Sequence, residues 1–107
     1  MATYSAEAIT VAGVTPTSRT AASGDKLTPA DNAFIRVTNG GGSPMTLTFA
    51  NPGSNEDGEA NPDPVRTITN GSTKCIRVNR RWTDPSDGLI ALTWSATTSV
   101  TFTYERV

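Results

Sequence analysis

Residue types that catalytic and metal sites commonly use are missing or nearly missing from this sequence. Histidine is absent and cysteine occurs once, at Cys75. Histidine is the commonest general base and the commonest nitrogen ligand of zinc, and one thiolate cannot build a structural zinc site. A lone cysteine also excludes an intramolecular disulfide, and within residues 74–78 we expect its thiol to be buried and inert. The sequence therefore predicts neither an enzyme nor a bound metal or cofactor.

A large charge excess and long apolar runs are missing as well. The net charge is −1, which gives no support for a general nucleic-acid or membrane binder, because both partners attract strongly basic proteins. No apolar run approaches the roughly 18 residues of a membrane-spanning helix. Residues 1–15 have neither the basic start nor the apolar run of a signal peptide. We expect folding in a cytoplasm, with no specific nucleic acid, membrane or small-molecule substrate as partner.

The clearest pattern that is present lies near the end of the chain. In residues 90–94 and 100–104, large apolar side chains alternate with small ones, mostly threonines. A period of two places the large side chains on one face of a half-buried strand. The two runs are joined by the small polar residues 95–99, which predicts a hairpin with Trp94 and Phe102 on one sheet surface.

The same alternation occurs earlier in the chain. It predicts a second hairpin from strands at 34–38 and 45–50, and two further short strands at 65–69 and 74–78. Eighteen threonines and the lack of helical periodicity favour strands over helices. We predict an all-β fold, a small antiparallel β-sandwich or barrel of about six to eight short strands.

The domain organisation predicted from these patterns is simple. Residues 1–16 form an extended N-terminal arm or a first strand, and residues 17–107 form a single β-sandwich domain. Leucine, isoleucine, valine and phenylalanine together number 19, which is a thin core for a chain of this length. Such a domain would gain stability from partners or from copies of itself.

Residues 51–64 form the longest interruption between predicted strands, with three prolines, four acidic residues and no basic residue. Loops of this length are often functional or disordered. The glycine and glutamate positions of an EF-hand are not met, so a solvated acidic loop is the main interpretation and a looser calcium site the alternative.

A basic segment follows at residues 74–81 and ends at Trp82. Three interpretations are open: a solvated turn with Trp82 covering the end of the sandwich, a protein contact, or a nucleic-acid stacking patch. The acidic loop and this segment are opposite in sign and could meet between neighbours in a ring of identical subunits. The predicted inter-subunit or partner contacts are Glu56, Asp57, Glu59, Asp63, Arg77, Arg80, Arg81 and Trp82.

Several stretches together resemble small β-rich virion proteins of tailed bacteriophages, which are encoded among head genes. The stretches are Gly24-Asp25, residues 32–42 (NAFIRVTNGGG), residues 71–76 (GSTKCI), Asp87-Gly88 and residues 90–101 (IALTWSATTSVT). The likeness covers most of the chain from residue 24 onward. The acidic loop is longer than that pattern, and Arg80-Arg81-Trp82 replaces a smaller turn that contains proline.

The resemblance implies a decoration or cement protein on the outer surface of the virion capsid, assembled in the host cytoplasm. Its partner would be the major capsid protein, which it would bind as a homotrimer to stabilise the shell. We expect residues 2–14 to lie on the capsid, where they could add a strand to the edge of a capsid sheet. Deleting them should abolish attachment without unfolding the domain. The expected capsid contacts are Ala2, Thr3, Tyr4, Ile9 and Val11.

Two alternatives belong to other functional classes. One is a phage tail or head-tail connector protein that forms a ring by strand exchange. The other is a carbohydrate-binding β-sandwich module, in which Trp82 and Tyr4 would stack on sugar rings.

Overall fold

A computed structural model describes residues 2–54 and 56–107. The described chain consists of short strands, connecting turns and one turn of 3-10 helix at Arg80–Trp82. The strands are β1 (Thr3–Tyr4), β2 (Glu7–Ala8), β3 (Arg19–Thr20), β4 (Lys26–Leu27), β5 (Ala33–Asn39), β6 (Met45–Phe49), β7 (Val65–Ile68), β8 (Thr73–Arg77), β9 (Ile90–Trp94) and β10 (Val100–Arg106).

These strands form two sheets that pack face to face. The first sheet has the order β1-β4-β9-β6-β7, and the second has the order β2-β10-β5-β8, with β3 also paired to β10. The all-β sandwich is therefore confirmed, although the described residues form ten strands rather than six to eight. Both sheets are mixed, because β1 runs parallel to β4 and β2 runs parallel to β10.

The core lies between the sheets and is supplied by alternate residues of the longer strands. In β5, for example, Ala33, Ile35 and Val37 are buried while the residues between them face outward. The rings of Trp94 and Phe102 meet across the two sheets, with centroids 5.4 Å apart. Burying one such side chain contributes about 1.5–3 kcal/mol, so this alternation carries most of the stabilisation.

Both predicted hairpins are wrong. β9 and β10 lie in different sheets, and so do β5 and β6. The short turns 95–99 and 40–44 carry the chain across the sandwich instead of folding it back within one sheet, and residues 69–72 do the same between β7 and β8. Alternation predicts which face of a strand is buried, but it is the same whether the next strand pairs beside it or packs opposite it.

Asn39 holds these crossings together. Its buried side chain donates to the carbonyls of Ser43 and Ile68 at 2.9 and 3.0 Å, and its Oδ1 accepts from the Gly41 amide. Its backbone amide and carbonyl bond to residues 71 and 72 in the next crossing. A buried polar group is stabilising only when its hydrogen bonds are made, and here they join two separate turns.

The N-terminal segment is hydrogen-bonded to both sheets. Ala2 and Tyr4 accept bonds from the amides of Lys26 and Thr28, and Ile9 donates to Arg106. The chain then turns, with the Gly13 amide bonded to the Thr10 carbonyl at 3.0 Å. Residues 2–8 therefore belong to the sandwich edges, and the exposed segment begins at Ile9.

The crossing at Gly40 supports a first prediction. A Cβ added at Gly40 would lie 2.9 Å from the Ser99 carbonyl oxygen, whereas one added at Gly42 meets nothing within 4 Å. We expect Gly40→Ala to lower the free energy of unfolding by about 1–3 kcal/mol, because two backbones must separate. Gly42→Ala, in the same turn, should change it by less than about 1 kcal/mol. Urea unfolding followed by tryptophan fluorescence measures both, and equal losses would contradict the close approach.

Candidate functional site

The two ends of the sandwich differ in chemistry. One end, the turn end, holds four short turns, residues 21–24, 40–44, 69–72 and 95–99, and none of these residues is charged. The opposite end, the loop end, holds the longer connections 28–32, 50–64 and 78–89 and the C-terminus. Candidate contact residues therefore concentrate at the loop end.

A cleft of about 700 Å³ opens at the loop end. Three arginines reach it from different elements: Arg66 from β7, Arg77 from the last position of β8, and Arg80 from the 3-10 turn. We call it the arginine cleft. Its lining is completed by Ala30, Asp31, Asn32, Val78, Asn79 and Trp82.

Hydrogen bonds orient two of these arginines. Arg77 donates to the Asn32 side chain at 3.2 Å, and Arg80 donates to the Asp31 carboxylate at 2.8 Å. The bond to Asp31, together with its negative charge, raises the pKa of Arg80 above its ordinary value. One carboxylate faces three guanidinium groups, so the arginine cleft is positively charged overall and suits anionic groups.

Trp82 is more a part of the core than a free contact residue. Its ring stacks on Phe49 with centroids 4.7 Å apart and planes inclined by 29°, and it packs against the buried cluster. Trp82 therefore covers part of the loop end of the sandwich, and because it is only partly buried it also lines the arginine cleft. Its predicted role as a partner contact stays a prediction. Arg81, in the same turn, is exposed and is not among the residues that line the cleft.

The acidic loop, residues 51–64, contains hydrogen bonds of its own among its described residues. Ser54 pairs with Ala60 in an antiparallel bridge, and the Asn61 amide bonds to the Gly53 carbonyl at 3.0 Å. Asp63 accepts a bond from the Asn51 amide at 2.9 Å, so this predicted contact residue closes the base of the loop. The other three predicted acidic contacts, Glu56, Asp57 and Glu59, are exposed farther out.

An exposed apolar surface lies beside these features. Ile9 and Val14 are 43% and 42% exposed, Val107 is 79% exposed, and Val11 is fully exposed. A neighbouring hollow of about 420 Å³ is lined by Asn32, Ala33, Phe34, Cys75, Arg77 and Val107. The bond from the Ile9 amide to the Arg106 carbonyl brings Ile9 next to Val107. We call Ile9, Val11, Val14, Phe34 and Val107 the apolar patch.

The predicted capsid contacts divide into two groups. Ile9 and Val11 lie in the apolar patch. Ala2, Thr3 and Tyr4 instead lie along the edge of the first sheet, where the Tyr4 ring meets Phe102 edge-on at 5.2 Å. Val14, Phe34 and Val107 were not predicted as contact residues. Phe34 could have been found from the alternation of β5, because it is an apolar residue at an outward position of a strand whose inward residues are 33, 35 and 37.

Cys75 is exposed, which contradicts the expectation of a buried thiol. It lies on the edge strand β8, where Ile76 takes the inward position, so the period of two turns Cys75 outward.

Two buried carboxylates were also missed by sequence reasoning. Asp25 accepts from the Ala22 amide and from the Trp94 indole, and Glu105 lies 3.8 Å from the guanidinium of Arg36.

Among residues 2–54 and 56–107, no three cysteine, aspartate or glutamate side chains come close enough to hold a metal ion. Asn55, which belongs to the loop predicted as an alternative calcium site, lies outside the described residues. The described part of the chain also contains no helix with the length and apolarity needed to cross a bilayer.

No protein-family model matches the chain, and neither a curated protein nor a solved structure is significantly similar to it.

The position of Trp82 supports a second prediction. Because its ring is stacked on Phe49 but only partly buried, we expect Trp82→Ala to lower the free energy of unfolding by about 1–3 kcal/mol, less than a fully buried aromatic residue would. Trp82→Phe keeps a stacked ring and should recover most of the loss. Chemical unfolding followed by circular dichroism checks both, and an Ala variant as stable as the original would show that the ring is only a surface group.

A third prediction concerns alkaline pH. Burial raises the pKa of Tyr104 to about 12, and the positive charge of Arg80 offsets this only in part. An unfolded tyrosine ionises near pH 10, so from about pH 10 to pH 12 the unfolded state loses a proton that the folded state keeps. The free energy of unfolding should therefore fall as pH rises through this range.

Tyr104→Phe separates this effect from others. The hydrogen bond to Asp87 raises the pKa of Lys26. The stabilisation that this bond gives is also lost as the pH rises through the pKa of Lys26, but it is lost equally in the original protein and in the Tyr104→Phe variant. Urea unfolding at several pH values should give a shallower decline for Tyr104→Phe. Identical declines would show that Tyr104 does not keep its proton in the folded state.

Proposed function

We propose that this chain is a structural virion protein that binds the outer surface of a tailed-bacteriophage capsid and stabilises the shell. The partner in this proposal is the major capsid protein, and the resemblance to phage head proteins implies a trimer. The apolar patch is the observation that supports the proposal most directly. Groups of exposed apolar side chains commonly mark a protein-interaction site, and here Ile9, Val11 and Val14 are exposed within one short segment.

The segment that carries Ile9, Val11 and Val14 is anchored at both ends. The Ile9 amide is bonded to Arg106, and the Thr17 amide and hydroxyl donate to the Glu7 carboxylate at 2.8 and 3.1 Å. An anchored loop loses less conformational entropy on binding than a free arm. The apolar side chains are thus presented to a partner on a segment whose position is already restricted.

The stabilising mechanism follows from mass action. A protein that binds the assembled shell more tightly than free capsid subunits shifts the equilibrium toward the assembled state. If each copy contacts more than one capsid subunit, loss of a subunit also breaks contacts to the bound protein. No catalytic step is required.

The arrangement of residues 2–8 changes how the capsid contact should be tested. Deleting residues 2–14 would remove β1, β2 and the Tyr4 ring that packs on Phe102. We therefore expect that deletion to destabilise the domain, unlike the expectation from the sequence, so a loss of binding would be uninformative. Point substitutions in the exposed segment avoid this problem.

The decisive measurement is co-sedimentation of the protein with expanded phage heads that lack it, with unexpanded precursor heads as control. We expect saturable binding at many copies per expanded head. Val11→Asp should weaken it about tenfold or more, because burying one valine contributes about 1.5–3 kcal/mol and a buried carboxylate adds a penalty. Val65→Asp is the matched control, since Val65 is 51% exposed on β7, outside the apolar patch.

One result would contradict shell binding, and another would contradict only the contact surface. Absence of binding to either form of the head would move the assignment to a tail or connector ring. Equal binding of the Val11→Asp and Val65→Asp variants would retain the shell as partner but remove the apolar patch as the contact.

A further inference from the structure

The arginine cleft adjoins the apolar patch, because Asn32 and Arg77 line both the cleft and the hollow that contains Phe34 and Val107. None of the five patch residues lines the cleft itself, and the proposed capsid contact does not use its arginines. We infer that the arginine cleft binds the acidic loop of a second copy of this chain. This self-association goes beyond shell binding and can be tested without any capsid. Three observations lead to it: the charge of the cleft, the charge and shape of the loop, and the placement of both at one end of the sandwich.

The charges of the two surfaces are complementary. The cleft presents Arg66, Arg77 and Arg80 against the single carboxylate of Asp31. The acidic loop carries four carboxylates, and residues 51–64 include no basic residue. Guanidinium groups bind carboxylates with paired, directional hydrogen bonds, so three arginines from three different elements form a specific receptor for an acidic segment.

The acidic loop has the form of an insertable element. The Ser54–Ala60 bridge narrows it into a small hairpin, and the bonds from Phe49 to Pro64 and from Asn51 to Asp63 fix its base. Glu56 and Glu59 are exposed on its outer part. A segment that is ordered before binding loses less entropy when it docks.

Within one molecule, the loop stands beside the cleft without filling it. Among the described residues, those that line the arginine cleft are 30–32, 66, 77–80 and 82, and none comes from the acidic loop. The loop base and the cleft still share the loop end, because Trp82 stacks on Phe49 and Arg66 follows the loop directly. Copies that meet through their loop ends can therefore each offer a loop and a cleft, as closed symmetric assemblies require.

A nucleic-acid phosphate backbone is a weaker candidate for the same cleft. Any polyanion approaching the cleft of a monomer also approaches the four carboxylates of the adjacent loop, which repel it. A second copy brings those carboxylates as the ligand. The two occupants differ in their experimental outcome and are separated below.

Sedimentation of the full chain tests the inference. At low ionic strength the protein should self-associate with rising concentration, and about 0.5 M salt should reverse this, because exposed charge pairs are screened over a few ångströms there. Arg66→Glu with Arg77→Glu should weaken association about tenfold or more, since like charges would then face each other. Glu56→Lys with Glu59→Lys should do the same from the opposite side and leaves the strands untouched.

Mixing the two double variants is the most specific test of the pairing between cleft and loop. Neither variant should associate alone, but together the basic loop of one matches the acidic cleft of the other, so association should return. Lys74→Glu with Arg106→Glu is the control for charge, because both side chains are exposed and neither lines the cleft. This control should associate like the original protein, and circular dichroism should show that all variants are folded.

Three outcomes would overturn the inference. The first is a monomer at low salt at every accessible concentration. The second is association that the cleft and control variants weaken equally. The third is a monomer whose cleft binds a labelled single-stranded oligonucleotide in a manner lost with Arg77→Glu, which would assign the cleft to nucleic acid. Since no phage heads are involved, none of these results affects the co-sedimentation test of shell binding.

Discussion

The hydrogen bonds of the buried Asn39 are the constraint on which the rest of this fold depends. Its side chain and backbone join the crossing between β5 and β6 to the crossing between β7 and β8, and the adjacent Gly40 donates to Ser99 in the third crossing. Strands that leave these turns must enter opposite sheets. The sandwich core, including the contact between Trp94 and Phe102, follows from that separation.

Because the crossings are short and closely bonded at the turn end, long connections are confined to the opposite end. The acidic loop, the 3-10 turn and the exposed segment after β2 all lie there, together with the C-terminus. Such a division is common in proteins, where a bonded scaffold positions variable loops that carry the contacts. It explains why the arginine cleft, the acidic loop and the apolar patch share one end.

The loop end combines two kinds of surface that suit different partners. The apolar patch around Val11 offers burial of apolar area, and the arginine cleft offers directional contacts to carboxylates. Exposed ion pairs contribute little individually, about 0–1 kcal/mol each, so the cleft is better suited to specifying a neighbour than to supplying strong affinity. In the proposed assembly, the patch attaches the protein to a shell and the cleft arranges its copies.

The sequence by itself determined the all-β fold and the buried faces of β6, β9 and β10, because a period of two is a local property that survives in any sheet arrangement. It also showed the opposite charges of the acidic loop and the basic segment. Only the tertiary structure decided that 90–94 and 100–104 face each other across the core, that Cys75 is exposed and that Trp82 covers Phe49. Those features depend on which strands become neighbours, and that choice is made by contacts between residues far apart in the chain, such as those of Asn39.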